Sequence, residues 1–255
     1  MRPGLAGAGP LPNGRAPKRP LFAVGDIHGH LDALEALLER LATVVEERHA
    51  GREVDLVFLG DLIDRGPDPI GCLRRAAKGL PGCETRLLLG NHDWYLAAAA
   101  GLRGARMTPD ERWSWTEWGG AETLQAIGLS DRAARDPDAV RKAIGAEACV
   151  ILEGMDLYFQ SGRVLCVHAG LDPDLPLSQQ SERDMMWIRG PFLRAGEDPE
   201  HPWPLRLTVV HGHTPDAWGI KPHRIGVDTG GYATGAFTAA EIAADGVALH
   251  SVLRD

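Results

Sequence analysis

Three apolar segments constrain the fold most strongly, because each ends in a glycine followed by a polar residue. LFAVGD ends at Gly25-Asp26, VDLVFLGD ends at Gly60-Asp61, and TRLLLGN ends at Gly90-Asn91. Short apolar runs with such ends predict buried strands. Between them, an apolar stripe from Leu31 to Val45 and a shorter pattern from Ile70 to Lys78 predict helices. The order β-α-β-α-β predicts a sheet with a parallel core and right-handed crossovers.

The second half of the chain is predicted to be mostly strands. RVLCVHAG ends at His168 and LRLTVVHGHTP at His211 to His213, and RIGVDTGG follows as a further strand. FTAAEIAADGVALHSVL predicts a hairpin that turns at Asp245-Gly246. Residues 96–153 are predicted to be mainly helical. We therefore expect an α/β chain with a second sheet packed on the first and a helical cap insert over about 96–153.

Composition limits the classes of protein that remain. The 255 residues include 27 basic and 35 acidic side chains, a formal net charge of -8, and 44% are hydrophobic. This supplies a sizeable core, and we expect one domain over residues 21–255. Residues 1–20 hold five prolines and four glycines, and we interpret them as a disordered tail. The acidic balance argues against nucleic acid as a partner.

Two further absences in the sequence bear on location. The chain has no apolar run long enough to span a bilayer, and we expect no membrane partner. Its cysteines form no CxxC pair, which predicts a reduced chain in the cytoplasm. They are Cys72, Cys83, Cys149 and Cys166.

The polar residues at the strand ends are mostly carboxylates and imidazoles. Because ligand sites in open α/β sheets lie beyond the carboxyl ends of the strands, we expect these residues to converge. Such donors suit divalent manganese, iron or zinc. A pair of metals needs a bridging carboxylate, and Asp61 on the middle strand is the candidate. The strand-end set is Asp26, His28, Asp61, Asp64, Arg65, Asn91, His92, Asp93, His168, His211, His213 and Asp228.

Each of these motifs also has an ordinary explanation. A Gly-Asp pair after a strand is usually a turn or a helix cap, and an isolated HxH is more often surface or core than ligand. The functional interpretation depends on five polar clusters, each directly after an apolar strand. In the insert, Trp113, Trp115 and Trp118 could cap the site, but we favour a hydrophobic cluster that packs apart from it.

Five motifs together resemble the calcineurin-like metallophosphoesterases. They are GDIHGH (25–30), GDLIDRGP (60–67), GNHD (90–93), VHAG (167–170) and HGHTP (211–215). The first three are most similar to the phosphoprotein-phosphatase branch, and within it to bacterial Ser/Thr protein phosphatases. The resemblance implies two mixed sheets packed as a sandwich flanked by helices. It also implies two divalent metal ions, with manganese expected first and iron or zinc as alternatives.

The resemblance assigns roles to individual residues. Asp26 and His28 are implied ligands of the first metal, Asp61 bridges both, and Asn91, His168 and His213 complete the second. His213 is preferred to His211 because the family ligand follows a glycine and precedes Thr-Pro. His211 is then structural or supports the ligands.

The implied reaction needs four further residues. A hydroxide that bridges the metals attacks phosphorus, and His92 protonates the leaving oxygen as general acid. Asp64 fixes the tautomer of His92. Arg65 and Arg189 are implied to donate hydrogen bonds to phosphate oxygens. The expected function is therefore hydrolysis of a phosphoprotein or a small phosphorylated substrate, most specifically a serine/threonine protein phosphatase.

Asp93 departs from the phosphoprotein-phosphatase pattern, which usually has glutamate there. GNHD is also similar to the symmetrical diadenosine-tetraphosphate hydrolases, although those relatives generally lack the aspartate that Asp64 supplies here. A nucleotide hydrolase is therefore the alternative. A non-catalytic phosphate-binding module is disfavoured because every ligand and the His92–Asp64 pair are present, and a nuclease is disfavoured because no basic stripe exists.

Overall fold

The computed structural model describes residues 2–3, 7–197 and 202–254, and contains two sheets with helices packed beside them. The strands are β1 Arg2–Pro3, β2 Gly7–Gly9, β3 Leu21–Val24, β4 Val54–Phe58, β5 Cys83–Leu87, β6 Tyr158–Ser161, β7 Val164–Val167, β8 Thr208–His211, β9 Gly219–Ile220, β10 Arg224–Gly226, β11 Ala236–Ala243 and β12 Gly246–Leu253. The α-helices are α1 Leu31–His49, α2 Pro69–Lys78, α3 Asn91–Ala99, α4 Pro109–Trp115, α5 Ala121–Ala126, α6 Pro137–Gly154, α7 Glu182–Trp187, α8 Gly190–Arg194 and α9 Gly231–Thr234. A π-helical turn over Thr116–Gly120 joins α4 to α5.

The first sheet has the strand order β1-β12-β11-β3-β4-β5, and β2 also pairs with β12. Strands β3, β4 and β5 are parallel, as the β-α-β-α-β pattern predicts. Strands β11 and β12 form the expected hairpin. The second sheet has the order β6-β7-β8-β10-β9, with β7, β8 and β10 parallel. Both sheets are therefore mixed, and the predicted fold class is confirmed.

The sheets pack face to face through alternate residues of their strands. Leu21 and Ala23 of β3 lie in one buried cluster with Cys166 of β7 and Val210 of β8. The intervening residues, such as Phe22, point to the other side and pack in the cluster that contains the helices. Side chains alternate between the two faces of a strand, and both faces of β3 are covered. All four residues of β3 are therefore buried, and its sequence is continuously apolar.

The first helices cover the outer face of the larger sheet. Leu34, Leu37, Leu38 and Leu41 of α1 are fully buried, which is the stripe that the sequence predicts.

No helix in the described part of the chain is long and apolar enough to cross a membrane.

The N-terminal segment differs from the predicted disordered tail of residues 1–20. Within its described part, β2 pairs antiparallel with β12. Pro12 is buried, and the backbone N–H of Lys18 donates to Ser161 Oγ at 3.1 Å. The segment is ordered by backbone pairing along the edge of β12, which needs no hydrophobic period and is therefore invisible in the side-chain pattern. Residues 1 and 4–6 lie outside the described residues.

The insert is largely helical, as predicted, but its tryptophans do not form one packed cluster. Trp115 is fully buried, whereas Trp113 is 67% exposed and Trp118 is 50% exposed. Helix α4 begins with a capping box in which Thr108 Oγ1 accepts from the Glu111 N–H and the Glu111 carboxylate accepts from the Thr108 N–H. Because Trp115 packs in the main core while the other two side chains are exposed, the expectation of a separate hydrophobic cluster was wrong.

Candidate active site

The loops that follow the strands bring the predicted ligands together around Asp61. Asp61 Oδ2 lies 3.4 Å from His168 Nε2 and 3.8 Å from His28 Nε2. Asp26 Oδ2 lies 3.9 Å from His28 Nε2. Two groups offer ligand atoms within 4.8 Å of one another, namely His28, Asp61 and His92, and Asp61, His168 and His213. Asp61 belongs to both groups, as a bridging ligand requires.

The remaining predicted ligands complete this arrangement. Asn91 Oδ1 lies 3.0 Å from His168 Nε2, and the rings of His168 and His213 are 5.0 Å apart. The backbone N–H of His213 donates to the carboxylate of Asp26 at 3.2 Å. The structure therefore brings together all six predicted ligands, and all are buried.

Several of these residues have a strained backbone. In the described part of the chain, seven non-glycine residues have a positive φ, and five of them are predicted site residues. Strain of this kind costs about 1–3 kcal/mol for each residue and persists only where the surrounding structure enforces it. The surrounding structure therefore holds these loops in strained conformations that place the five side chains at the site. The five are His28, Asp61, Asp64, Arg65 and His213.

Hydrogen bonds on the far side of two imidazoles fix which nitrogen faces Asp61. His28 Nδ1 is 2.8 Å from the Ile63 carbonyl, and His168 Nδ1 is 2.9 Å from the Leu59 carbonyl. Since a carbonyl only accepts, each Nδ1 carries a proton, and Nε2 is the nitrogen that faces the cluster. This orientation presents Nε2 to a metal ion.

The electrostatics of the cluster also favour a cation. Burial and the neighbouring carboxylates of Asp228 and Asp61 raise the pKa of Asp26 well above its ordinary value. Burial would lower the pKa of His168, but Asp61 and Asp26 raise it to about 9. Buried carboxylates at this density need a positive charge nearby. The donor set and its charge therefore fit a pair of divalent metal ions.

Beside the cluster, His92 and Asp64 form the predicted pair. His92 Nδ1 lies 2.6 Å from Asp64 Oδ2, and the backbone N–H of His92 donates to Asp61 Oδ1. Two residues that the sequence reasoning did not assign also hold Asp64. Trp115 Nε1 donates to Oδ2 at 2.8 Å, and Thr123 Oγ1 donates to Oδ1 at 2.5 Å.

Arg65 lies over the cluster on the solvent side. Its Nη1 is 2.6 Å from His28 Nε2, its Nη2 is 3.2 Å from His92 Nε2, and its guanidinium stacks 4.0 Å from the ring centroid of Tyr232. Arg189 approaches from the opposite side, with Nε 3.1 Å from His213 Nε2. Two arginines therefore face the space where a phosphate would meet the ligands.

The cluster forms the floor of a cleft of about 650 Å³. Trp118 and Trp187 line it, together with Tyr232, which is 43% exposed. Sequence reasoning did not assign Trp187 or Tyr232, because an aromatic residue in a loop or short helix has no local signal for a cleft. Asp216 and Asp228 add negative charge to the lining.

Two residues of the strand-end set, His211 and Asp93, have structural roles. His211 points away from the cluster, with Nε2 3.4 Å from Arg224 Nη1 and its ring edge-on to Phe192. Burial lowers the pKa of His211 to about 3, so it is a neutral core side chain. The Asp93 carboxylate accepts from the backbone N–H groups of Asp61, Leu62 and Gly90, and so ties two strand-end loops together.

A buried carboxylate–imidazole cluster, a His–Asp pair and two arginines in one cleft define a metal-dependent phosphoester hydrolase. Residues 19–247 match the family described as calcineurin-like phosphoesterase. The chain belongs to this family, which uses a dinuclear metal centre.

Among the relatives of this chain are symmetrical bis(5'-nucleosyl)-tetraphosphatases. The symmetrical bis(5'-nucleosyl)-tetraphosphatase of Ralstonia nicotianae is 31% identical over 82% of this chain and 59% of its own length. The enzyme of the same name from Paracidovorax citrulli is 33% identical over 78% of this chain and 58% of its own. The chain thus spans less than two thirds of the length of these relatives.

A crystal structure with the provisional name diadenosine tetraphosphatase shares the fold. Its TM-score is 0.61 at 24% sequence identity, and the match covers 92% of this chain and 94% of the other. At this identity the match shows a shared fold.

Proposed function

We propose that this chain hydrolyses the phosphoanhydride bridge of a dinucleoside polyphosphate, with diadenosine tetraphosphate as the reference substrate. The names of its relatives support this substrate class. The observation that carries the proposal is the aromatic lining of the cleft, which stands beside two arginines and above the cluster of metal ligands.

The lining matches the two chemical parts of such a substrate. Trp118 and Trp187 line the cleft with aromatic rings on which a base can stack, and stacking contributes about 1–3 kcal/mol for each base. Arg65 and Arg189 carry donors suited to the oxygens of the polyphosphate bridge. A phosphorylated peptide has the phosphate but carries no nucleobase to stack on these rings.

In this account, two divalent ions would supply an activated water and charge neutralisation when bound. Asp26 and His28 would hold one, Asn91, His168 and His213 the other, and Asp61 would contact both. Residues of the chain itself bind the substrate and transfer the proton. Arg65 and Arg189 orient the phosphoryl oxygens and stabilise the charge that develops on them. His92, held by Asp64, delivers a proton from Nε2 to the leaving oxygen.

One observation favours a second candidate, a serine/threonine phosphomonoesterase. An alkoxide leaves poorly without a proton, whereas a nucleoside diphosphate is a much better leaving group. The intact His92–Asp64 pair, at 2.6 Å, is the device that the poorer leaving group needs. The two candidates share one site and differ in what the cleft holds.

A substrate panel with added Mn²⁺ separates them. We expect a higher kcat/KM for diadenosine tetraphosphate than for a phosphothreonine peptide, with ADP as the product of symmetrical cleavage. Trp118→Ala should raise KM for the dinucleotide by roughly 5- to 150-fold, the equivalent of one lost stack. Trp113→Ala, in a side chain that does not line the cleft, is the matched control. Faster turnover of the peptide would overturn the proposal in favour of the second candidate.

A further inference from the structure

We infer that the helical insert is a positioning element of the active site, in which Trp115 and Thr123 hold Asp64 so that Asp64 can hold His92. The inference rests on the proposed role of His92 as proton donor. It gives the insert a part in the reaction itself, in place of the separate packing or the cap considered from the sequence.

The contacts of the Asp64 carboxylate carry this inference. Oδ2 accepts from His92 Nδ1 at 2.6 Å and from Trp115 Nε1 at 2.8 Å, while Oδ1 accepts from Thr123 Oγ1 at 2.5 Å. The backbone N–H of Asp64 approaches the same Thr123 hydroxyl at 3.1 Å. Both oxygens are therefore fixed by donors, and the plane of the carboxylate is set by the insert.

Burial makes the loss of any of these hydrogen bonds costly. Asp64, Trp115 and Thr123 all have zero solvent exposure. Water is therefore not at hand to replace a lost donor, and the freed oxygen would turn toward any remaining partner. Because His92 Nδ1 shares Oδ2 with the indole, movement of this oxygen would misdirect the His92 ring. Trp115 and Thr123 act through Asp64 and do not line the cleft.

The same insert also holds Arg65. The Arg65 backbone N–H donates to the Gly119 carbonyl at 3.1 Å, and Arg65 Nε donates to the Trp118 carbonyl at 3.1 Å. Gly119 has φ +116°, and a Cβ there would lie 2.4 Å from Arg65 Cγ. The π-helical turn thus presents two carbonyls to one arginine, with no space left for a side chain at Gly119.

The indole N–H of Trp115 can be separated from its packing. The ring stacks on Tyr95, with centroids 6.4 Å apart and an angle of 22° between planes. Trp115→Phe keeps an aromatic ring in this stack and removes the donor. Thr123→Val removes the hydroxyl and keeps the shape, while Thr123→Ser keeps the hydroxyl. Trp113→Phe, at a mostly exposed side chain, is the control for general effects.

The test is the dependence of kcat on the leaving group, measured with a series of substituted phenyl phosphates and Mn²⁺. A proton donor matters most for a poor leaving group such as phenolate and little for p-nitrophenolate. We expect Trp115→Phe and Thr123→Val to lower kcat for phenyl phosphate by roughly 10- to 100-fold, as losses of supporting hydrogen bonds do at other sites. Turnover of p-nitrophenyl phosphate should change far less, and Thr123→Ser and Trp113→Phe should behave as wild type.

Circular dichroism and bound Mn²⁺ should be unchanged in every variant used. His92→Asn is the reference, and it should show the steepest dependence on the leaving group. The positioning inference is overturned if kcat of His92→Asn depends steeply on the leaving group while kcat of Trp115→Phe and Thr123→Val depends on it as in wild type. If His92→Asn itself matches wild type, the proposed acid role fails instead. Neither result depends on which natural substrate the panel above selects.

Discussion

Asp61 links the two halves of the candidate metal centre through a single carboxylate. Its Oδ2 faces His28 on one side and His168 on the other, and its Oδ1 accepts from the backbone of His92. Burial would raise the pKa of Asp61, but His168 and His92 hold it well below its ordinary value. Its φ of +51° shows that the backbone is bent to place this carboxylate. One residue thus couples metal binding to the position of the proton donor.

His92→Asn separates these two functions. The asparagine removes the proton donor but leaves Asn91, the neighbouring ligand, in place. With phenyl phosphate, which has a poor leaving group, we expect kcat to fall by roughly 10²–10⁴-fold, the usual range for loss of a general acid, with metal content unchanged. Steady-state kinetics and metal analysis of the same sample test this. His211→Asn, at a buried imidazole outside the cleft, controls for the loss of a histidine. Full turnover by His92→Asn would contradict the role.

The elements differ in how far their sequence predicts them. Strands β3 and β7 are continuous apolar runs because both faces are buried, and β4 departs from this pattern only at the buried Asp55. The residues that follow these strands, Asp26, Asp61 and His168, converge as predicted. Strands β2, β6 and β9 were missed because they are short or lie at sheet edges, where backbone pairing needs no apolar pattern.

The contacts of the insert could not be predicted from its sequence for a related reason. The π-helical turn over Thr116–Gly120 shifts the helical phase of the residues that follow it, including Thr123, by an amount the sequence pattern does not reveal. Trp115 and Thr123 reach Asp64 across 51 and 59 residues of sequence, so no local motif links them. The convergence of the strand-end residues was predictable because strand ends meet by topology, whereas the contacts that support Asp64 depend on side-chain packing.

The crossing of two strand-end loops gives a prediction at this scale. Gly60 has φ +100°, and a Cβ there would lie 2.4 Å from the backbone nitrogen of Gly90. Gly51 has φ +73° but open space around it. We expect Gly51→Ala to lose about 1–3 kcal/mol of unfolding free energy from strain alone. Gly60→Ala should lose about 1–3 kcal/mol more from the clash. Urea denaturation measures both, and equal losses would contradict the close approach.

Across the whole molecule, a buried charge cluster joins α1 to the β11–β12 hairpin. Glu241 accepts from Arg48 at 2.9 Å, His49 at 2.7 Å and His250 at 2.9 Å. Burial would raise the pKa of Glu241, but these partners hold it below the ordinary value of 4.5. A lowered pKa means that the ionised carboxylate stabilises the fold above this pH, and that the contribution is lost as pH falls through the folded value.

Glu241→Gln should therefore destabilise the protein most at neutral pH. The difference in unfolding free energy from wild type should shrink as the pH falls below 4.5, where the wild-type carboxylate takes up its proton. Urea denaturation at a series of pH values tests this. Glu53→Gln, where the side chain is mostly exposed and pairs with Arg19, is the control and should change stability little. A constant difference across pH would contradict the linkage.

The most direct test of the central claim is to count the metal ions that one chain binds. Titration of the purified, metal-free protein with Mn²⁺, followed by calorimetry and elemental analysis, should give two ions per chain. Asp61→Asn should lose both tight binding and turnover, because the bridging carboxylate is gone while the fold remains. Binding of two ions by Asp61→Asn with normal turnover, or full wild-type turnover with no divalent ion bound, would contradict a two-metal site built around Asp61.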